Sequence, residues 1–566
     1  MRADASCTLY DVLVIGGGVN GTGVARDAAQ RGLRVALVEK KDFAAGASGA
    51  NSGMIHGGIR YLRTDPKVTE LSCIDSGYIQ KIAPHLLFRV PLIFPVLRKG
   101  AEPALSEQAY LYAAEVLFSA YDSYQPYKRG KPSTRLSATE TLAVEPGIRP
   151  DILGSVSTDE WGIDPQRLCA LNALDAERFG AALFTHTQVM ALPKDPDGGL
   201  LGAEVRHGGK RRLLRAKVVV NAAGPWAPKV ASLAGVPVKL RPGKGVHLTL
   251  DRRLSNYGVI TNAIDGRQIF LYPHEGTSTI GTTDDDYFGD LDDLSVTHDE
   301  VEYLLSSIAH VIPAVREARI LSAWAGVRPT LYAFGPAEDA LSREHEVRHH
   351  GADGVANFYS MLGGKLASYR AMSEEATDLI ARALGNSEPC RTHRLPLPGG
   401  ESLPEVAAVA ALCGVTEMAA TRAIYRHGAQ APQILEAIHD EPWLGDFVCP
   451  CEQVTYAEAR HCLRHEHCET LSDLRRRCRV GMGQCQGLRC AEPAARLLRV
   501  ERGLSAQAAR VELQHFLASR FEGQRAVFDG AGLAQQELVR GALGFGPTSA
   551  PVAVNAEDSG GARGPA

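Results

Sequence analysis

A chain of 566 residues that is 45% hydrophobic and 22% charged can bury a large core and has the balance of an ordinary globular protein. Its formal net charge of -4 gives no electrostatic reason to expect nucleic acid, and its longest apolar runs, such as Val90 to Leu97 with two prolines inside, fall short of the ~20 residues a spanning helix needs. The opening MRADASCTLY lacks the apolar centre of a signal peptide, so a cytoplasmic protein with no presequence and no transmembrane span is expected.

The chain organises itself around its first strand. DVLVIGGGVNGTGVARDAAQRGLRVALVEK, from Asp11, is an apolar strand, a glycine turn, a helix with an apolar face and a second apolar strand ending in an acid. Gly16, Gly18 and Gly21 have the dinucleotide spacing: one glycine for the tight turn, one for backbone approach to a pyrophosphate, one for close helix packing. Glu39 lies 18 residues past Gly21, where a carboxylate accepts ribose hydroxyls. A loop of small residues from Ala44 to Gly53, Ser48 among them, then brings backbone amides close to a ligand, and MIHGGIRYL follows.

Residues 66 to 150 read as mixed and mostly helical, and GSVSTDEWGID as a strand running into a helix from Pro165. AKVVVNAAGPWA is a buried strand entering a small turn at Gly224, which fits a strand edge returning to the nucleotide. KGVHLTL, RQIFLYP and STIGTTD alternate with period two, as antiparallel strands of a substrate roof. WAGVRPT and NFYSMLGGKLASYR bring the chain back to a strand, a glycine turn at Gly363 and a helix start. The expected fold is α/β: a doubly wound, Rossmann-like nucleotide domain interleaved with an antiparallel-sheet domain over residues 8–386. After it come a linker at 387–402, a helical region at 403–445, a cysteine domain at 446–505 and a structureless tail at 541–566.

Seven of the twelve cysteines fall between Cys449 and Cys490. In a reducing compartment such clustering reads as metal ligation before disulfides. Cys449 and Cys451, one residue apart, can converge with Cys485 and Cys490, which flank a glycine-rich turn, as four thiolates holding an iron–sulfur cluster or zinc. Structural zinc usually uses CxxC knuckles, and neither pair has that spacing. Cys462, Cys468 and Cys478 read as ordinary thiols. LRRRCRV beside the cysteines reads as a solvated helix face or a basic docking surface.

CPCE with LSDLRRRCRVGMGQCQGLRCAEPAARLL resembles the bacterioferritin-associated-ferredoxin type of 2Fe-2S domain. The fingerprint, IHGGIRYL, GVRP and GGKLASYR resemble the FAD-dependent glycerol-3-phosphate dehydrogenases, and the combination is similar to the anaerobic type within that family. That resemblance implies non-covalent FAD, a 2Fe-2S cluster, oxidation of sn-glycerol 3-phosphate, and electrons passed to partner subunits or quinone, with any membrane attachment peripheral and through a partner. It also implies that Arg60, Tyr61, Arg328, Arg343, His247 and Lys365 belong to the substrate and flavin pocket. A phosphate dianion suits the guanidinium forks of Arg328 and Arg343, Lys365 can face the flavin, and His56 and His247 are candidates for taking a hydroxyl proton. TLYAFGPAEDAL after GVRP, and Met361 with Leu362 before GGK, depart from the family pattern. Two other readings stay open: a related flavin dehydrogenase for another hydroxy acid or amine, and a flavin and iron–sulfur electron carrier without a substrate.

Overall fold

The structure, a computed structural model, describes residues 8–63, 65–98, 100, 105–337, 341–528 and 530–544. Strand Leu9–Ile15 sits inside an eight-stranded sheet, parallel to Val35–Val38 on one side and to Lys210–Asn221 on the other. Both faces of this sheet are covered, so Val12, Leu13 and Val14 are wholly buried and the strand reads as a continuous apolar run. Helix Val19–Gln30 makes the crossover between the first two strands and packs on helices Pro165–Arg178 and Tyr369–Ala383. Phe358–Gly363 also runs parallel to Lys210–Asn221, so segments far apart in sequence complete one doubly wound sheet.

The second sheet has nine strands, in the order Asp285–Asp286, Leu240–Leu250, Thr277–Gly281, Gln268–His274, Gly258–Asn262, Leu87–Leu97, Ile152–Ile163 and Thr134–Ser137, with Ile320–Leu331 also paired to Leu240–Leu250. All its pairings are antiparallel except that of Gly258–Asn262 with Leu87–Leu97. Its strands are inserted between those of the first sheet, and the two domains therefore interleave as expected. Residues 66–150 hold helices Pro66–Ile82 and Leu105–Tyr121, but the proline-punctuated stretch expected among them is an 11-residue strand. On one side its neighbour Gly258–Asn262 pairs only opposite Leu92 and Ile93, which leaves Pro91 and Pro95 outside that short ladder.

Residues 387–402, expected as a linker, lie against the first domain. Arg26 donates to the carbonyls of Thr392 and Leu395, and the Leu397 amide donates to the carbonyl of Ile82. Short helices at Val406–Cys413, Glu417–His427 and Ala431–Leu435 follow. Helices Tyr456–His465, Leu471–Cys478, Ala491–Arg502 and Ala506–Arg525 then enclose the cysteines with Val448, Leu463, Leu474, Leu498 and Phe516. Helix Gly530–Leu543 takes in the first residues of the expected tail, and 545–566 lie outside the described residues. Among the described residues no single helix is long and apolar enough to cross a membrane.

The arginine run beside the cysteines is an internal joint, not a free surface. Arg477 and Asp42 are both fully buried and share two hydrogen bonds of 2.7 and 3.0 Å, while Arg476 reaches the same carboxylate at 2.7 Å. Arg479 pairs with Glu452 at 2.8 Å and with Asp164 at 3.4 Å. The expectation of a solvated or partner-facing run fails because acids of the first domain, which no local pattern reveals, meet it across the interface.

Candidate active site

The glycine turn is built for close approach. Gly16 has φ +116, and a Cβ there would sit 2.5 Å from the Ala222 carbonyl oxygen; one on Gly21 would sit 1.9 Å from the Gly16 carbonyl oxygen. The Ser48 hydroxyl accepts from the Val19 amide at 2.9 Å and so ties the small-residue loop to the N-terminus of the first helix. The Glu39 carboxylate accepts from the Gly17 amide at 2.7 Å and the Lys41 amide at 2.8 Å. Burial raises its pKa, and these two amides oppose the rise. Gly16, Gly18, Glu39, Ser48 and Gly224 all line one cavity of about 620 Å³, whereas Gly21 packs helix against strand and is not part of the wall. Trp226, with the Lys40 ammonium 4.0 Å over its ring, adds to that wall. An amide-rich helix start with a carboxylate beside it fits the pyrophosphate and ribose of FAD.

The same cavity extends to the second sheet, where His56, Tyr61, His247, Arg328, Arg343, Gly363 and Lys365 line it. The Arg60 side chain lies outside the described residues. Arg328 donates to one oxygen of Asp284 at 3.0 Å and Arg343 to the other at 2.6 Å. Thr282 receives a further bond from Arg328 at 2.9 Å, and Thr330 one from Arg343 at 3.0 Å. Two guanidinium groups against one carboxylate leave a net positive charge, to which the Lys365 ammonium, 3.2 Å from the Gly57 carbonyl, adds. His247 is buried and stacked on Trp324, with ring centroids 5.3 Å apart, and neither ring nitrogen has a hydrogen-bond partner among the described residues. Burial, and then Arg328, push its pKa down to about 3.

Asp284 escaped the sequence reading. It opens the run Asp284, Asp285, Asp286, and an acidic triplet after a strand reads as a solvated turn. Each of the three in fact holds arginine: Asp285 pairs with Arg267 at 3.1 Å and Asp286 with Arg241 at 2.9 Å. Glu160 escaped too, because an acid beside Asp159 in an alternating strand reads as solvent-facing, yet it is buried and lines the cavity.

The structure brings Cys449, Cys451, Cys485 and Cys490 into contact as a chain of thiols, with Cys490 touching Cys449 and Cys485, and Cys485 touching Cys451. The Cys490 hydrogen bond holds Cys485 down to about 5 and Cys449 to about 7, while Cys490 itself is raised. Backbone amides of Gly487 and Arg489 also point at the Cys485 sulfur. Arg520 donates to the Gln486 side chain, next to Cys485, and Arg475 and Arg520 carry no carboxylate ion pair among the described residues, each with a buried Nε that lacks an acceptor. Four converging thiols, two of them with lowered pKa and backbone amides aimed at Cys485, fit an anionic metal–thiolate group. Cys462, Cys468 and Cys478 are fully buried in the surrounding core.

Residues 11–379 match the family described as FAD dependent oxidoreductase, and residues 390–509 match the C-terminal domain of alpha-glycerophosphate oxidase. The chain is 35% identical over 544 residues to one component of the anaerobic glycerol-3-phosphate dehydrogenase of Escherichia coli strain K12, covering 94% of this chain and 95% of that protein. It is 32% identical to the corresponding component of the anaerobic glycerol-3-phosphate dehydrogenase of Haloferax volcanii, covering 93% of this chain and 89% of that protein. The structure of the glycerol-3-phosphate dehydrogenase from Bacillus halodurans complexed with FAD shares the fold, with a TM-score of 0.74 at 24% identity over 93% of this chain and 97% of that one. The chain belongs to the FAD-dependent oxidoreductases, among the glycerol-3-phosphate dehydrogenases of the anaerobic type.

Proposed function

We propose that this enzyme oxidises sn-glycerol 3-phosphate to dihydroxyacetone phosphate and hands the electrons, through a 2Fe-2S cluster on Cys449, Cys451, Cys485 and Cys490, to a partner subunit or quinone. The observation that carries the substrate reading is the arginine pair: Arg328 and Arg343, 3.0 and 2.6 Å from the two oxygens of Asp284, on the wall of the cavity that the nucleotide fingerprint also lines. Two forks held side by side suit a phosphate dianion better than a single carboxylate. Tyr61 and Lys365 flank them, the Lys365 ammonium 4.9 Å from the Tyr61 ring.

FAD, when bound, supplies the two-electron acceptor for the hydride leaving the carbinol carbon, and a 2Fe-2S cluster supplies one-electron steps outward. The residues of the chain do the rest. Arg328 and Arg343 bind and orient the phosphate. The hydroxyl proton goes to His56, since His247, pushed down to about 3, is too weak a base near neutral pH. His247 stays neutral and orients through an unprotonated ring nitrogen. Lys365 holds positive charge where negative charge collects. Anaerobic titration of the purified protein with sn-glycerol 3-phosphate tests the reading: the flavin absorbance should bleach stoichiometrically, and iron should accompany sulfide in the protein. A flavin that stays oxidised in excess substrate removes the substrate assignment, and zinc without iron removes the cluster.

A further inference from the structure

Beneath the His56 loop lies a charged group that the proposed chemistry does not use. Glu160 is 3% exposed, in the strand Ile152–Ile163, and one of its oxygens is fully engaged: Lys128 pairs with it at 2.7 Å and the Tyr121 hydroxyl donates to it at 2.6 Å. Lys128, itself wholly buried, also donates to the Tyr121 oxygen at 3.0 Å and to the Asp159 carbonyl at 3.1 Å. The second carboxylate oxygen of Glu160, also buried, has no hydrogen-bond partner among the described residues. A buried carboxylate oxygen left open calls for an explanation, because the desolvation of such an acceptor is costly.

The position of Glu160 supplies one. It lines the cavity together with Thr158 of the same strand and the apolar Met54, Leu92, Ile260 and Phe270. Tyr121, which holds it, presses directly under the loop that carries His56: a Cβ on Gly57 would fall 2.2 Å from the Tyr121 hydroxyl oxygen. Gly57 in turn receives the Lys365 ammonium on its carbonyl. The unpartnered oxygen, itself enclosed, therefore belongs to a floor that touches the proposed reacting centre through Tyr121 and Gly57, on the second sheet and distinct from the arginine pair. A few fixed polar groups in an apolar pocket set the orientation of a ligand.

We infer that Glu160 is a specificity-determining residue whose free oxygen accepts a hydrogen bond from the terminal hydroxyl of the substrate, the group at the end opposite the phosphate. The inference rests on the proposed substrate and adds to it the group that recognises the unreacting hydroxyl. Lys128 and Tyr121 act as positioning residues that fix the carboxylate through charge and hydrogen bonding. A site built to bind a hydroxyl discriminates strongly against an analogue lacking it, because its own buried polar group is then left unpaired.

The test compares kcat/KM for sn-glycerol 3-phosphate with that for 2-hydroxypropyl phosphate of matching configuration, in which the terminal hydroxyl is replaced by hydrogen, using an artificial dye as acceptor. The wild type should favour the natural substrate by at least about tenfold, and Glu160→Gln should reduce that preference about tenfold while the analogue keeps most of its rate. Should Glu160→Gln fold poorly, the double variant Lys128→Met with Glu160→Leu removes both charges together and should show the same collapse of preference with FAD content retained. An equal loss on both substrates would make Glu160 a structural floor only and overturn the inference, as would an unchanged preference. Wild type inert toward sn-glycerol 3-phosphate would instead bring down the substrate reading itself, so the two failures are told apart.

Discussion

Asp42→Ala tests whether the C-terminal domain is held by the buried arginine joint. Asp42 and Arg477 are both 0% exposed, paired through both carboxylate oxygens, and Arg476 shares the same group. Removing the acid leaves Arg477 buried with no carboxylate, stacked 5.3 Å from the Phe43 ring. Breaking one side of a buried pair costs about 3–5 kcal/mol, which moves a docking equilibrium by roughly two to four orders of magnitude. Arg476 suffers less, because Asp473 still holds it at 2.9 Å. The double variant Asp42→Leu with Arg477→Met puts an apolar pair of similar size in place and should recover most of the loss, since such replacements are often neutral. Asp42 stands three residues after Glu39, so the single variant should also release FAD at lower urea. Urea unfolding followed by flavin fluorescence and by far-UV circular dichroism, with limited proteolysis of the interface, reads both effects. A single variant within about 0.5 kcal/mol of wild type, or a double variant no better than the single, would refute the argument.

Arg328→Ala should raise KM for the phosphate substrate by an amount worth roughly 1.5–3 kcal/mol while FAD content stays near wild type, and Arg328→Lys should not restore it because a point charge lacks the fork; steady-state kinetics with dye decide. On the proposed cluster assignment, Cys485→Ser should abolish an iron–sulfur absorbance and slow transfer to quinone or partner, while substrate still bleaches the flavin; undiminished quinone-linked turnover would count against the outlet. For pH, burial alone would raise Glu458 and Glu466, but Arg426 with His427 and Arg167 with His427 outweigh it and hold both down to about 2. Their folded values lie below the ordinary 4.5, so the stability they contribute is present above pH 4.5 and is lost as pH falls toward 2. Because Glu466 grips Arg167 of the first domain, protease sensitivity at that interface should rise over this acid range. Glu466→Gln should flatten the rise.

The nucleotide half was legible in the sequence because its determinants are local. Gly16, Gly18 and Gly21, the two flanking apolar strands and Glu39 lie within a few turns of one another, and each residue type answers a backbone or charge requirement that spacing alone expresses. Each cysteine pair was legible by its spacing, while the contact between the two pairs comes from the tertiary structure. Leu87–Leu97 was not, because Pro91 and Pro95 argue against a strand until the short neighbour at Gly258–Asn262 is known.

The rest depends on groups brought together from distant segments. Asp284 has meaning only beside Arg328 and Arg343, Glu160 only beside Lys128 and Tyr121, and the arginine run only against Asp42 and Asp164. In sequence each of these is a charge or a run of charges with no opposite partner nearby along the chain, and such charges read as solvated. The amino-acid sequence by itself determined the nucleotide fold and the FAD class of the enzyme. Which charges are paired, which are buried and which buried oxygen is left without a partner was decided by the tertiary structure, because desolvation and Coulomb energy depend on neighbours in space and not on neighbours along the chain.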